Sequence, residues 1–474
     1  MSEKKSDFND KTTIKELRTL STGKAIIYTL PNMGLTALLA ITVFFTLFFY
    51  INIMGQPPLI VGAIYSTTIF VYAAFCAIWG VIADKIGKKK LLLFSGPILA
   101  ISFIFIWIPP IPTGSYGELF LPLIFWLIIF GFTFRIMIAA FQPIIYSLLP
   151  ELSTEEQNRV KISMINMMMM ILGTIIGTIG PIVLMGDATK NLSREDPKLY
   201  YSTSLIGRII YTQIVFFASL MSVMFCICFI LMLIIIKEPP KQRDTKISLN
   251  EMFKDLAEPF KDKNYRLFLI TFYLFWIPFV AFQYIVLNLA TFVISVRGNE
   301  FILMAIVVIM FAALSFIGWK KLSEKYGLKE TLSICLIFAI FSFILVSILL
   351  IPMPNEIILI VGILLISLCF CSSVGTMVFP FAIMSDLIDK AELKTGKILS
   401  GSYSGAFIMM GSLAAASSVL IISVNFELFG PEAALGYIII LSFIGPTLLF
   451  VALIVFQKVQ IMGTDKQVKN QNNS

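Results

Sequence analysis

The sequence contains no histidine, and none of its 28 Asp and Glu residues falls inside a long apolar run. They sit in connections, in the terminal segments or at the ends of runs, as Asp84, Glu118, Glu151, Asp386, Asp389, Glu392 and Glu427 do. A side chain that relays protons through a bilayer has to titrate there, and the apolar runs offer none. Cysteine is scarce as well: Cys76, Cys226, Cys228, Cys335, Cys369 and Cys371 all lie in apolar runs. Each Cys-x-Cys pair would point its thiols about 200° apart around a helix, which favours small apolar packing residues over a metal or disulfide role. No G-x-x-x-x-G-K-[ST] loop is present, which excludes nucleotide hydrolysis by that route, and no enzyme is expected. Residues 1–24 are polar and basic with no apolar core of a signal peptide, so the first apolar run is expected to do the targeting.

What remains is hydrocarbon. Of the 474 residues 58% are apolar and 14% charged, against about 25% charged in ordinary globular chains, and the mean hydropathy is +0.91. Runs near 25–50, 59–82, 91–108, 119–148, 161–185 and 207–236 are long enough to cross a bilayer, since a helix rises 1.5 Å per residue over a core about 30 Å thick. After a polar segment, six more follow near 267–295, 301–319, 330–351, 356–384, 399–424 and 432–457. An all-α membrane protein with twelve spans in two groups of six is predicted, with a tail over 1–24, a linker over 237–266 and a second tail over 458–474. Of the 36 Lys and Arg, all but Arg135, Lys190, Arg194, Lys198, Arg208 and Arg297 fall in the termini and in alternate connections on one side. The net charge of +8 therefore marks orientation and not a nucleic-acid surface, and both termini are expected in the cytoplasm of a plasma-membrane protein. Inside the linker, Leu249, Met252, Phe253 and Leu256 form one stripe, which reads as an amphipathic helix at the membrane face or as a plain tether.

The chain is organised around Gly80 to Lys90, GVIADKIGKKK, and its weaker copy LSEKYGLK, where Glu324, Lys325 and Gly327 answer to Asp84, Lys85 and Gly87. Gly80 permits close helix approach, Asp84 can meet a helix N-terminus or a basic partner, Gly87 turns the chain, and Lys85 and Lys88 face an anionic leaflet. This spacing resembles the loop signature of the major facilitator superfamily, G-x-L-A-D-R-x-G-R-K. LLPELSTEEQNR, with Glu151 and Arg159, and SDLIDKAELKTGK, with Asp386 and Asp389, resemble the cytoplasmic loops of its glycoside-pentoside-hexuronide cation symporters. The likeness runs from about Tyr28 to about Phe456. It implies the major facilitator fold, two pseudo-symmetric six-helix bundles rocking about a central site, with solute movement coupled to Na+, H+ or Li+, and it assigns the loop residues to gating.

The same resemblance implies a cation site that this chain lacks. Family carboxylates on the second helix fall on Tyr72 and Cys76, those of the first and fourth helices on or near Thr36 and Gln142, and a basic residue of the eleventh near Ser412. No resident cofactor or metal is expected; sodium held by neutral oxygens stays open. Arg135 is the one charge near the middle of a run, where a cation costs at least ~2.5 kcal/mol. Two roles fit it: gripping a carboxylate or phosphate of a solute, or bonding carbonyls and polar side chains of a neighbouring helix. Arg135, Gln142, Thr36, Tyr72, Asn32, Gln283, Tyr284 and Ser412 form the candidate solute-binding set, although interhelical hydrogen bonding would account for any one of the neutral members. A monomeric secondary transporter of a small polar solute, sugar, glycoside or organic anion, is expected, with a lysolipid carrier or a non-transporting receptor as alternatives.

Overall fold

The computed structural model describes residues 20–152, 156–190, 192–193, 199–235, 258–395 and 400–460. Among them, twelve helices are long and apolar enough to cross a membrane. The first six are α1 Thr22–Ile53, α2 Pro58–Ile86, α3 Lys88–Ile106, α4 Leu121–Leu152, α5 Glu156–Thr189 and α6 Leu205–Ile235. The second six are α7 Lys263–Val293, α8 Glu300–Tyr326, α9 Leu328–Leu350, α10 Asn355–Thr395, α11 Ser400–Phe429 and α12 Ala434–Gln457. An even number of crossings puts both ends of the described chain on one face, here called the proximal face.

The two halves repeat one another residue for residue at their most constrained points. Gly87 alone separates α2 from α3 and Gly327 alone separates α8 from α9, with φ of 102° and 83°. Such angles suit a residue without Cβ, so each turn closes in a single step. The basic turn is thus one residue long, and Asp84, Lys85, Lys88 and Lys325 belong to helices. The same numerical offset links the ends of α1 and α7, which both widen into π-helical turns, Phe48–Ile53 and Leu289–Val293. Met54 N–H donates to Phe49 O and Ile294 N–H to Leu289 O, both near 3.0 Å, and the next residues, Gly55 and Ser295, have φ of 62° and 58°.

Helices also outrun the apolar runs that foretold them. α10 continues to Thr395, so Asp386 and Asp389 lie on a helix and not in a connection; hydropathy reports where lipid ends, whereas hydrogen bonding carries the helix onward. Asp386 is half-buried and Asp389 exposed. Glu151 and Arg159 fall on the ends of α4 and α5, but their side chains, like those of Asp84 and Lys85 and the placement of Gly80, lie outside the described residues. So does the amphipathic stripe at 249–256.

Within the first half, α1 lies almost backbone to backbone on α5. A Cβ at Gly173 would stand 2.0 Å from Met33 O, and one at Gly177 2.4 Å from Ala37 O. With little hydrophobic force between helices in lipid, this small-xxx-small approach is how they gain contact. Between halves, α2 packs on α11, α1 on α7 and α5 on α8. Contacts that span them run from the distal face toward mid-depth: Leu59 N–H to Glu427 Oε2 at 3.2 Å, the rings of Phe48 and Phe292 at 6.4 Å, and Ser66 Oγ to Ala416 O at 2.9 Å. In the distal loops, burial pushes the Tyr116 phenol up, and the Glu432 carboxylate of the other half adds to the shift.

Candidate functional site

At mid-depth, α4 carries Arg135 and, two turns on, Gln142; α2 carries Tyr65 and, two turns on, Tyr72. Seven residues return to the same face of a helix, so each pair shares one stripe. Arg135 retains 8% of its surface. Its Nη2 donates to Tyr65 Oη at 2.9 Å, and its guanidinium carbon stands 5.3 Å from the centroid of that ring. Tyr65 in turn donates to Thr42 O on α1 at 3.1 Å, which fixes the phenol as an acceptor for the arginine. From the other half, Tyr284 meets the Tyr65 ring edge-on at 5.9 Å, and its hydroxyl lies within interaction range of both Tyr65 and Arg135. Among the described residues no carboxylate pairs with this guanidinium.

The candidate set divides into groups. Arg135 and Tyr284 come together around Tyr65. Tyr72 Oη donates to Gln142 Oε1 at 2.9 Å, a second polar layer about 10 Å further along α2 and α4. Asn32 Nδ2 donates to Asn166 Oδ1, joining α1 to α5, and leaves its own Oδ1 buried without a partner. Thr36 places its hydroxyl 2.8 Å from Asn32 O and 3.0 Å from Met170 O, so it ties the same two helices. The Ser412 hydroxyl donates to Ile408 O in its own helix at 3.0 Å, and Gln283 is half-buried on α7.

The sequence reading passed over Tyr65, although its spacing of seven from Tyr72 was the available signal. It also passed over Arg297, counted as a charge on the far side of the membrane. Arg297 is 6% exposed and sits at the distal seam. Its Nη1 donates to Thr291 O and Val296 O at 2.9 and 2.8 Å, its Nη2 to Ser193 O at 3.0 Å and its Nε to Leu192 O at 3.3 Å, while Gly298 N–H donates to Thr189 Oγ1 at 3.3 Å. A buried charge is tolerated when carbonyl oxygens surround it in this way.

These helices and this site were compared with known proteins. Residues 27–455 match the model of the MFS/sugar transport protein family. The chain belongs to that family. It is a secondary transporter of small solutes in a multi-pass membrane protein. Solved structures share the fold at low identity. The nucleoside transporter NupG aligns with a TM-score of 0.62 at 15% identity, over 93% of this chain and 100% of its own. The xylose transporter XylE from E. coli, in a partially occluded inward-open conformation, gives 0.61 at 13%, over 93% and 97%. A POT family transporter in complex with 5-aminolevulinic acid gives 0.63 at 13%, over 92% and 96%. No curated protein matches the sequence.

Proposed function

We propose that this transporter moves a small hydroxylated organic anion across the plasma membrane by alternating access, with both termini cytoplasmic and the solute's negative group held by Arg135. The observation that carries this reading is the buried guanidinium whose protein hydrogen bond goes to a neutral phenol and which has no carboxylate partner among the described residues. An arginine presents five donors in a planar fork that matches a carboxylate or phosphate, so an anion completes what Tyr65 leaves unfilled. Tyr72 and Gln142 then offer neutral hydrogen-bonding groups for hydroxyls, consistent with the sugar transport family. The contacts between the halves close the distal seam in the present state.

The test is uptake by the full chain in proteoliposomes across a panel of neutral sugars, sugar acids, other organic acids and lysolipids, with and without Na+ and a pH gradient. Sugar acids or organic acids should enter, and Arg135→Gln should abolish that entry while leaving a folded protein in detergent. Uptake of neutral sugars alone, unaffected by Arg135→Gln, would overturn the reading, and loss of the folded protein in that variant would assign Arg135 to structure. Lysolipid uptake in the same assay would favour the amphiphile alternative.

A further inference from the structure

We infer that this carrier changes face readily only with an anion in the site, so that it exchanges one anion for another and moves little net solute. The inference rests on the proposal that Arg135 holds the anion, and it follows from what happens to that guanidinium when the site is empty. In the present state the distal seam is shut by Leu59 on Glu427, by Phe48 on Phe292 and by Arg297 on the 192–193 carbonyls. Alternating access takes the site from one face to the other through a state in which neither end is open. In that state both ends are shut around Arg135, and the 8% of its surface still open is lost.

In that occluded state the cation needs a counter-charge. Tyr65 takes Nη2 and is itself committed to Thr42 O, and Tyr284 supplies one further neutral oxygen. Neither phenol cancels a charge, and the apolar runs hold no Asp, Glu or His to do so. A carrier with an acid beside its arginine would close empty as a neutral pair; this one closes empty as a cation cut off from its last solvent contact, a part of the insertion penalty that slows the step by about tenfold. A bound monoanion removes the penalty by making the occluded site neutral. Arg135 and Tyr65 belong to one half and Tyr284 to the other, so closure of the halves acts directly on this cluster.

The experiment uses full-length protein in vesicles and radiolabelled glucuronate, gluconate, lactate and inorganic phosphate as probes. Uptake is compared between vesicles loaded with the same unlabelled anion and vesicles loaded with mannitol alone. Loaded vesicles are expected to take up the accepted probe about tenfold faster or more. Equal rates would overturn the exchange inference and leave the anion reading standing; no movement of any probe in either arm would remove both. Phosphate acting as the internal partner for an organic acid would support exchange and identify the ion that serves as counter-substrate. A second readout follows the conformation itself. Ser423→Cys, in a background with the six native cysteines replaced by alanine, puts a thiol at the closed distal seam, where Ser423 abuts Gly62. A membrane-impermeant maleimide should label it slowly without anion, faster with the accepted probe, and fast without any anion once Arg135→Gln is added. Labelling of the Ser423→Cys protein that is already fast without anion, or that Arg135→Gln fails to accelerate, would overturn the inference.

Discussion

The first six helices and the last six share a backbone plan but differ in what fills it. In the first half the interior at mid-depth is polar: Arg135, Tyr65, Tyr72, Gln142 and the Asn32–Asn166 pair. In the second half an aromatic cluster begins at Phe272, the position that answers to Asn32. Phe272 stacks on Phe407 with centroids 4.0 Å apart and touches Trp276 and Phe275, while Phe343 lies against Phe279 and Phe282. The offset that joins Gly87 to Gly327 sets Gly375 opposite Arg135, and a Cβ there would meet Cys335 Sγ at 2.3 Å. No side chain fits where the first half places its charge. On the proposed reading, a duplicated scaffold assigns recognition to one copy, and the other meets it through Tyr284.

This division can be broken deliberately. The largest effect is expected from Arg135→Gln, which should lower transport of the accepted anion by at least about a hundredfold with little change in Tm, read by initial uptake rates and thermal unfolding in detergent. On the aromatic side, Phe272→Ala should do the reverse, destabilising the fold by roughly 2 kcal/mol or more. The cost falls below the ~3–5 kcal/mol of a water-soluble core because the unfolded chain in lipid is already out of water. Gly375→Ala should cost about 1–3 kcal/mol through its clash with Cys335, measurable as a lowered Tm, whereas an unchanged Tm would mean that the packing around Gly375 is looser than described. Tyr65→Phe keeps the ring under the guanidinium and removes its hydrogen bond, for an expected rise in KM of about tenfold. The smallest effect is none at all. With no titrating side chain along the apolar runs, uptake of a fully ionised acid should be flat between about pH 6 and 8, and a steep profile there would point to a coupling group that the sequence does not display.

The fold was largely readable beforehand because a bilayer prescribes length, apolar content and charge placement together, and Gly87 and Gly327 mark their turns by residue type. Helix ends were less readable: α10 runs on through Asp386 and Asp389 because leaving lipid does not end a helix. At the site, Arg135 stood out since any charge at that depth demands an explanation. Its contact with Tyr65, seventy positions earlier on another helix, depends on how α2 and α4 are rotated, which apolar periodicity does not determine. Thr36 and Ser412 look the same in sequence as solute-binding hydroxyls, yet in the structure they bond to helix carbonyls. Arg297 lies on the side of the membrane where the charge count put it, but such a count treats each charge as solvated, and this one is enclosed by carbonyl oxygens.

That enclosure has a bearing on how the distal loop can vary. The bonds from Arg297 to Leu192 and Ser193 go to their main-chain oxygens, which hold the course of the segment whatever the side chains there. Substitutions there should leave the latch intact, whereas deleting or inserting one residue would slide every carbonyl out of reach. Across descendants of this chain the stretch should drift in letters and stay constant in length.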